Sequence, residues 1–146
     1  MGSEIRRPIA KGARRCAFTG YRPMKMPFGY DEECPLALDL QKDYPEVTLE
    51  IAVPYESQAV KWPSDYRARW QECIDRADVV TVLSHEYTKG CLFARNRYLV
   101  TQADILLACF DGKEGGTKNT VDYAQRNGCR VCLIPPVKKE CRKAAI

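Results

Sequence analysis

Two adjacent glycines, Gly115 and Gly116, with Thr117 after them, separate an apolar run, Ile105 to Phe110, from a stretch of helical pattern through Thr120, Val121, Tyr123 and Ala124. A strand, a glycine turn and a helix in that order suit phosphate binding. Glycine lets the backbone approach a ligand closely, and the free N–H groups and positive dipole end of a helix's first turn favour an anion. The same residues could equally make only a tight turn and a helix cap. A second candidate is Cys16 to Pro23, where Thr19, Gly20 and Arg22 place a hydroxyl, a site of close backbone approach and a guanidinium able to pair two phosphate oxygens just past a strand end. Arg95 and Asn96 come next in weight. Arg95 and Arg97 diverge by about 200 degrees around a helix, so at most one of them faces a shared rim. After the strand ending at Val53, Tyr55, Gln58 and Trp62 offer flat rings and an amide to a nucleobase, with Glu56 as another group for its edge. Trp70 reads as a core residue.

The inventory for catalysis is thin. There is no nucleophile elbow and no Ser/His/Asp constellation that spacing supports, and a lone histidine, His85, reads as structural. Cys129 and Cys132 make a C-x-x-C, but zinc needs a second ligand pair and none stands near His85, so neither a metal nor a cofactor is expected. Glu72, Asp75 and Asp78 surround a helix end and read as surface charge.

The elements that must position these groups follow from pattern. In 146 residues, an apolar fraction of 45% is enough for one domain with a buried core. Runs of strand length recur at Arg15 to Thr19, Val47 to Val53, Val79 to Leu83, Ile105 to Phe110 and Arg130 to Ile134. Helical patterns lie between them. Pro63-Ser64-Asp65 opens one, with Tyr66, Trp70, Cys73, Ile74 and Ala77 on its apolar face; Cys91 to Ala103 is another, with Leu92, Tyr98, Leu99 and Ala103 inward; Thr117 to Asn127, ended by Gly128, is the third. This alternation predicts an α/β fold of three layers around a mainly parallel sheet of about five strands, with ligands bound beyond the carboxyl ends of the strands. Between Tyr21 and Pro45 five breakers leave only Leu36 to Lys42 for a crossover helix.

Charge is concentrated at the ends. Of 23 Lys and Arg against 19 Asp and Glu, Arg6, Arg7, Lys11, Arg14 and Arg15 fall in the first fifteen residues and Lys138, Lys139, Arg142 and Lys143 in the last nine, leaving the body between them net acidic. Residues 1–13 are therefore expected to be a flexible basic arm, 14–137 the folded domain and 138–146 a basic tail. Such ends could touch nucleic acid, although solvated charge is the commoner outcome. The sequence shows neither a secretory leader nor a membrane-spanning stretch, so its eight cysteines are expected to be mainly free thiols in the cytoplasm, with no membrane partner.

Four segments in order, CAFTGYRP (Cys16 to Pro23), AVPYESQAVKW (Ala52 to Trp62), DVVTVLSHEYTKGCLFARNRYLV (Asp78 to Val100) and DGKEGGTKNTVDYA (Asp111 to Ala124), resemble the SLOG superfamily, in particular its YpsA-like branch of bacteria and phages. That superfamily has a Rossmann-like sheet, and its phosphate cradle is similar to those of the Lonely Guy phosphoribohydrolases, of DprA and of antiphage sensor domains that bind NAD-derived nucleotides. The resemblance implies that Thr19, Gly20 and Arg22 contact one part of such a ligand. It implies also that Gly115, Gly116, Thr117 and Thr120 hold its phosphates, with Arg95 and Asn96 beside them. Two departures bear on function. Thr120 stands where the hydrolase branch has its catalytic glutamate, and a hydroxyl cannot serve as that carboxylate. Between Leu40 and Gln41, a helix, a strand and a glycine turn usual in YpsA-like chains are missing, a loss that a homodimer or higher homo-oligomer could offset. The expectation is a binder of a phosphorylated nucleotide or ADP-ribose-like molecule, for sensing or sequestration, which in a phage would suit anti-defence. The rivals are a Lonely Guy-type nucleoside-monophosphate phosphoribohydrolase and a DprA-like nucleic-acid binder.

Overall fold

A computed structural model describes residues 2–20 and 40–135. Arg22, most of the short Leu36 to Lys42 segment and the basic tail lie outside the described residues, although 40–43 are helical. The fold is α/β. Its strands are β1 (Gly2–Ile5), β2 (Cys16–Gly20), β3 (Glu50–Val53), β4 (Val79–Val82), β5 (Ile105–Cys109) and β6 (Arg130–Ile134); the helices that lie wholly within the described residues and exceed ten residues are α1 (Ser64–Arg76), α2 (Cys91–Gln102) and α3 (Gly116–Arg126). They are distributed over two three-stranded sheets, β1-β4-β3 and β2-β5-β6. Three of the four strand pairings are parallel and one, β1 with β4, is antiparallel.

The described residues fall into two compact units. In the first, 2–13 with 40–98, β4 is central. Its Val79-Val80-Thr81-Val82 run is β-branched throughout, which suits a pleated strand buried on both faces. Val53, Ala77 and Val80 form the core, and Trp70 and Ile74 of α1 pack against it, which places Trp70 as its pattern predicts. Gly2–Ile5 carries no apolar alternation and is exposed along its whole length, so periodicity does not reveal it as a strand. Its pairing with β4, Gly2 opposite Val82 and Ile5 opposite Val79, rests on the backbone.

The residues after β1 hold that unit together. Arg6 Nη1 donates to the carbonyls of Ile74 (2.8 Å), Asp75 (2.5 Å) and Ala77 (3.3 Å), capping the end of α1, whose final carbonyls lack helical partners. Arg7 forms an ion pair with Asp78 at 3.1 Å. Asp78 also accepts from the Leu49 amide (2.8 Å) and from Gln41 Nε2 (2.7 Å). Burial pushes the Asp78 carboxyl up, but the hydrogen bonds from Leu49, Gln41 and Arg7 outweigh it and hold the group below its ordinary value. Asp78 is thus not the idle surface charge that its neighbourhood in sequence suggests. Glu72 does behave so, in an exposed pair with Arg76.

The second unit comprises 14–20 and 99–135. β5 is central, with Cys16 opposite Ile105 on one side and Ile105 opposite Arg130 on the other. Ala17, Val100, Leu106 and Ala124 make its core. Gly128, at φ 72°, ends α3 and lets the Cys129 amide turn back to the Ala124 carbonyl at 3.0 Å. Cys16, Cys91, Cys109, Cys129 and Cys132 are outside any disulfide, whereas Cys73 is disulfide-bonded. Cys34 and Cys141 lie outside the described residues.

Candidate functional site

In the second unit, β5 runs into Phe110, whose amide returns to the Ile134 carbonyl at 3.0 Å, and the chain then turns through 111–115 into α3. The turn is begun by Asp111, whose side chain accepts the Lys113 amide at 3.2 Å. Gly115 precedes the first turn of α3 at φ 146°, ψ −168°, a conformation open essentially to glycine alone. No side chain caps the helix there. The Asn119 amide bonds to the Gly115 carbonyl at 3.1 Å and begins the helical ladder, while the amides of Gly116, Thr117 and Lys118 find no acceptor among the described residues. A Cβ added at Gly112, Gly115 or Gly116 would meet nothing within 4 Å among the described residues.

Gly20 is the register partner of Cys109, which puts Thr19 and Gly20 at the same carboxyl edge as the glycine turn. Thr117 and Thr120 are buried, at 7% and 3% exposure. Their burial on one face of α3 explains part of the motif as packing. Thr120 Oγ1 donates to the Gly116 carbonyl at 2.9 Å, so its proton is committed within the helix. Lys118 pairs with Asp122 at 2.7 Å, which with Glu114 raises its pKa and occupies its charge. A recess of about 360 Å³ in this unit is lined by Val100, Asp104, Tyr123, Asn127 and Cys129 among others, at the amino edge of the sheet and away from the glycine turn.

Arg95 and Asn96 belong to the first unit, on α2, together with Tyr55, Gln58 and Trp62. Arg95 Nε donates to Asn96 Oδ1 at 2.9 Å and Nη1 reaches the Ala52 carbonyl of β3 at 3.5 Å. The guanidinium meets no carboxylate among the described residues, and burial lowers its pKa. An unmatched, desolvated cation is costly, and an anion would relieve it. Tyr55 and Gln58 follow β3 in a turn closed by the Gln58 amide on the Tyr55 carbonyl at 3.1 Å. Trp62, 38% exposed, meets Trp70 edge to face at 6.4 Å.

One pairing escapes the sequence reading. His85 is not alone: its Nδ1 lies 2.6 Å from Glu56 Oε1. Both residues stand three places beyond the ends of paired parallel strands, the single signal that could have joined them. Among the described residues, no group of three or more His, Cys, Asp or Glu is placed to hold a metal, and no helix is long and apolar enough to cross a membrane.

Parallel strands alternating with helices, with glycine turns and polar groups beyond the strand ends, define a Rossmann-like α/β protein. The model of the YspA SLOG family matches residues 33–131, and the chain belongs to that family. It is similar to the SPbeta prophage-derived protein YoqJ of Bacillus subtilis (strain 168), 23% identical over 99 residues, covering 60% of this chain and 58% of the relative. It is similar also to a UPF0398 protein of Bacillus cereus (strain B4264), 27% identical over 96 residues, covering 64% of this chain and 52% of the relative. The chain thus spans little more than half the length of these curated relatives.

Proposed function

We propose that this protein binds a phosphorylated nucleotide or an NAD-derived, ADP-ribose-like molecule through the glycine turn before α3, and serves to sense or sequester it. The observation that carries this reading is the row of amides at Gly116, Thr117 and Lys118, which have no acceptor among the described residues and follow a glycine held at φ 146°. Backbone donors at a helix's positive end are a ready anion site, and none of the described residues caps it. Thr19 and Gly20 share that edge. Within the first unit by itself, Arg95 with Asn96, which meets no carboxylate among the described residues, is a further place for negative charge, and Tyr55, Gln58 and Trp62 offer rings and an amide that suit a base.

Two rivals lose support. In the phosphoribohydrolase branch the catalytic carboxylate stands at the position of Thr120, and a hydroxyl bonded to the Gly116 carbonyl cannot replace it. Nucleic-acid binding through the amino-terminal basic residues would compete with the helix cap made by Arg6 and the Asp78 pair made by Arg7. Homo-oligomerisation belongs to the proposal as the expected partner state. Calorimetry with ADP-ribose, ADP and AMP, followed by chromatography for free base and native mass spectrometry for subunit count, tests the reading. Saturable binding without base release supports it; absence of binding, or sustained release of adenine from AMP, refutes it.

A further inference from the structure

Glu56 and His85 are fixed from several directions within the first unit. β3 and β4 are parallel with Val53 opposite Val82. The Leu83 amide donates to the Val53 carbonyl at 3.0 Å and the Glu56 amide to the Ser84 carbonyl at 3.2 Å, which carries the pairing beyond the strands. Ser84 Oγ donates to the Glu86 carbonyl at 2.7 Å and sets the second loop. Tyr55, next to Glu56 in sequence, and Tyr87, two places after His85, meet edge to face at 5.5 Å and 78°. The glutamate and histidine side chains stay 57% and 68% exposed.

A pair so exposed contributes little to stability, so its consequence is orientation. A carboxylate only accepts, so His85 Nδ1 donates, and the neutral ring presents Nε2 as an acceptor. Neither Glu56 Oε2 nor His85 Nε2 has a partner among the described residues. Two held acceptors beside an aromatic pair suit two adjacent hydroxyl donors on a ring. In dinucleotide-binding Rossmann folds an acidic side chain hydrogen-bonds a ribose hydroxyl, and Glu56 offers the same group.

We propose that Glu56 and His85 form a site for the vicinal diol of a ribose, with the Tyr55–Tyr87 pair as its apolar side. The inference rests on the nucleotide reading for the class of ligand and concerns the first unit alone. His85 is the only histidine in the chain, so its ring is a single NMR reporter. Wild-type protein is titrated with ADP and with 2′,3′-dideoxy-ADP by calorimetry and by imidazole ¹⁵N spectra. The expected results are an Nδ1–H tautomer in the free protein, movement of the His85 resonances with ADP, and at least about tenfold weaker binding of the dideoxy analogue. Glu56→Gln should bring the two nucleotides to within about threefold of each other. If wild-type protein binds both equally, or binds ADP with His85 unmoved, the diol site is refuted and the nucleotide reading stands. If neither ADP nor ADP-ribose binds, both fall together.

Discussion

Replacing Gly115 and Gly116 one at a time by alanine should separate backbone strain from ligand approach. Gly115 sits at φ 146°, where an alanine costs about 1–3 kcal/mol however much room surrounds it. The surroundings are open, so that cost is conformational and not steric. Relieving it would rotate the peptide that leads into α3, turning the Gly116 and Thr117 amides away. Gly115→Ala should therefore lose about 1–3 kcal/mol of stability and bind ADP-ribose more weakly. Gly116 is different: it is helical, lacks positive φ, and its added Cβ meets nothing within 4 Å. Gly116→Ala should leave stability unchanged or raise it by up to about 1 kcal/mol. A methyl group there still stands in the path of an oxygen approaching the amides. Each hydrogen bond to a charged oxygen is worth about 1.5–3 kcal/mol, so losing one weakens binding roughly tenfold to hundredfold. Urea unfolding and calorimetry measure both variants. Wild-type affinity in a stable Gly116→Ala protein would refute the claim that these amides touch the ligand.

Arg95→Met should leave the unfolding free energy within about 1 kcal/mol of wild type, or raise it, because it removes a desolvated cation with no carboxylate partner among the described residues, while nucleotide affinity falls about tenfold or more; denaturation paired with calorimetry checks both halves. Asp78 titrates lower in the fold than its ordinary value of 3.8, so the folded state binds fewer protons than the unfolded one and the Asp78 contribution is present above about pH 4 and lost as pH falls. Asp78→Asn should be about 1–3 kcal/mol less stable at neutral pH and lose less on acidification, as followed by urea midpoints from neutral to acid pH; an acid limb as steep as wild type would count against this account. If a base stacks on Trp62, ADP-ribose should quench tryptophan fluorescence in wild type and in Trp70→Phe but not in Trp62→Phe, with equal quenching in all three placing the base elsewhere.

Local pattern carried much of this protein. The β-branched run at 79–82, the apolar run into Phe110 and the glycine pair before a helical stretch are short-range signals, so the α/β class, the glycine turn before α3 and the end of α3 at Gly128 were legible without coordinates. So was Trp70, from its spacing to Ile74 and Ala77 on one helical face. The motifs for Thr19, Gly20 and Gly115 to Thr117 pointed to one rim, and strand register supplies the reason, since Gly20 and Cys109 are partners.

Partners distant along the chain were decided only by the tertiary structure. Gly2–Ile5 becomes a strand because β4 offers it a backbone edge, an interaction that leaves no trace in side-chain periodicity. Arg6 and Arg7, a basic cluster by composition, become a helix cap and an ion pair once 74–78 lies beside them. The family resemblance implies a phosphate contact for Thr120, and in the fold its hydroxyl donates to the Gly116 carbonyl, the acceptor at hand for a residue buried on α3. His85 and Glu56 are 29 residues apart and meet only because two parallel strands end level with each other. Sequence determines which groups are available and the local backbone that carries them; register and chain reversal determine which of those groups meet, because a hydrogen bond depends on distance in space and not on separation along the chain.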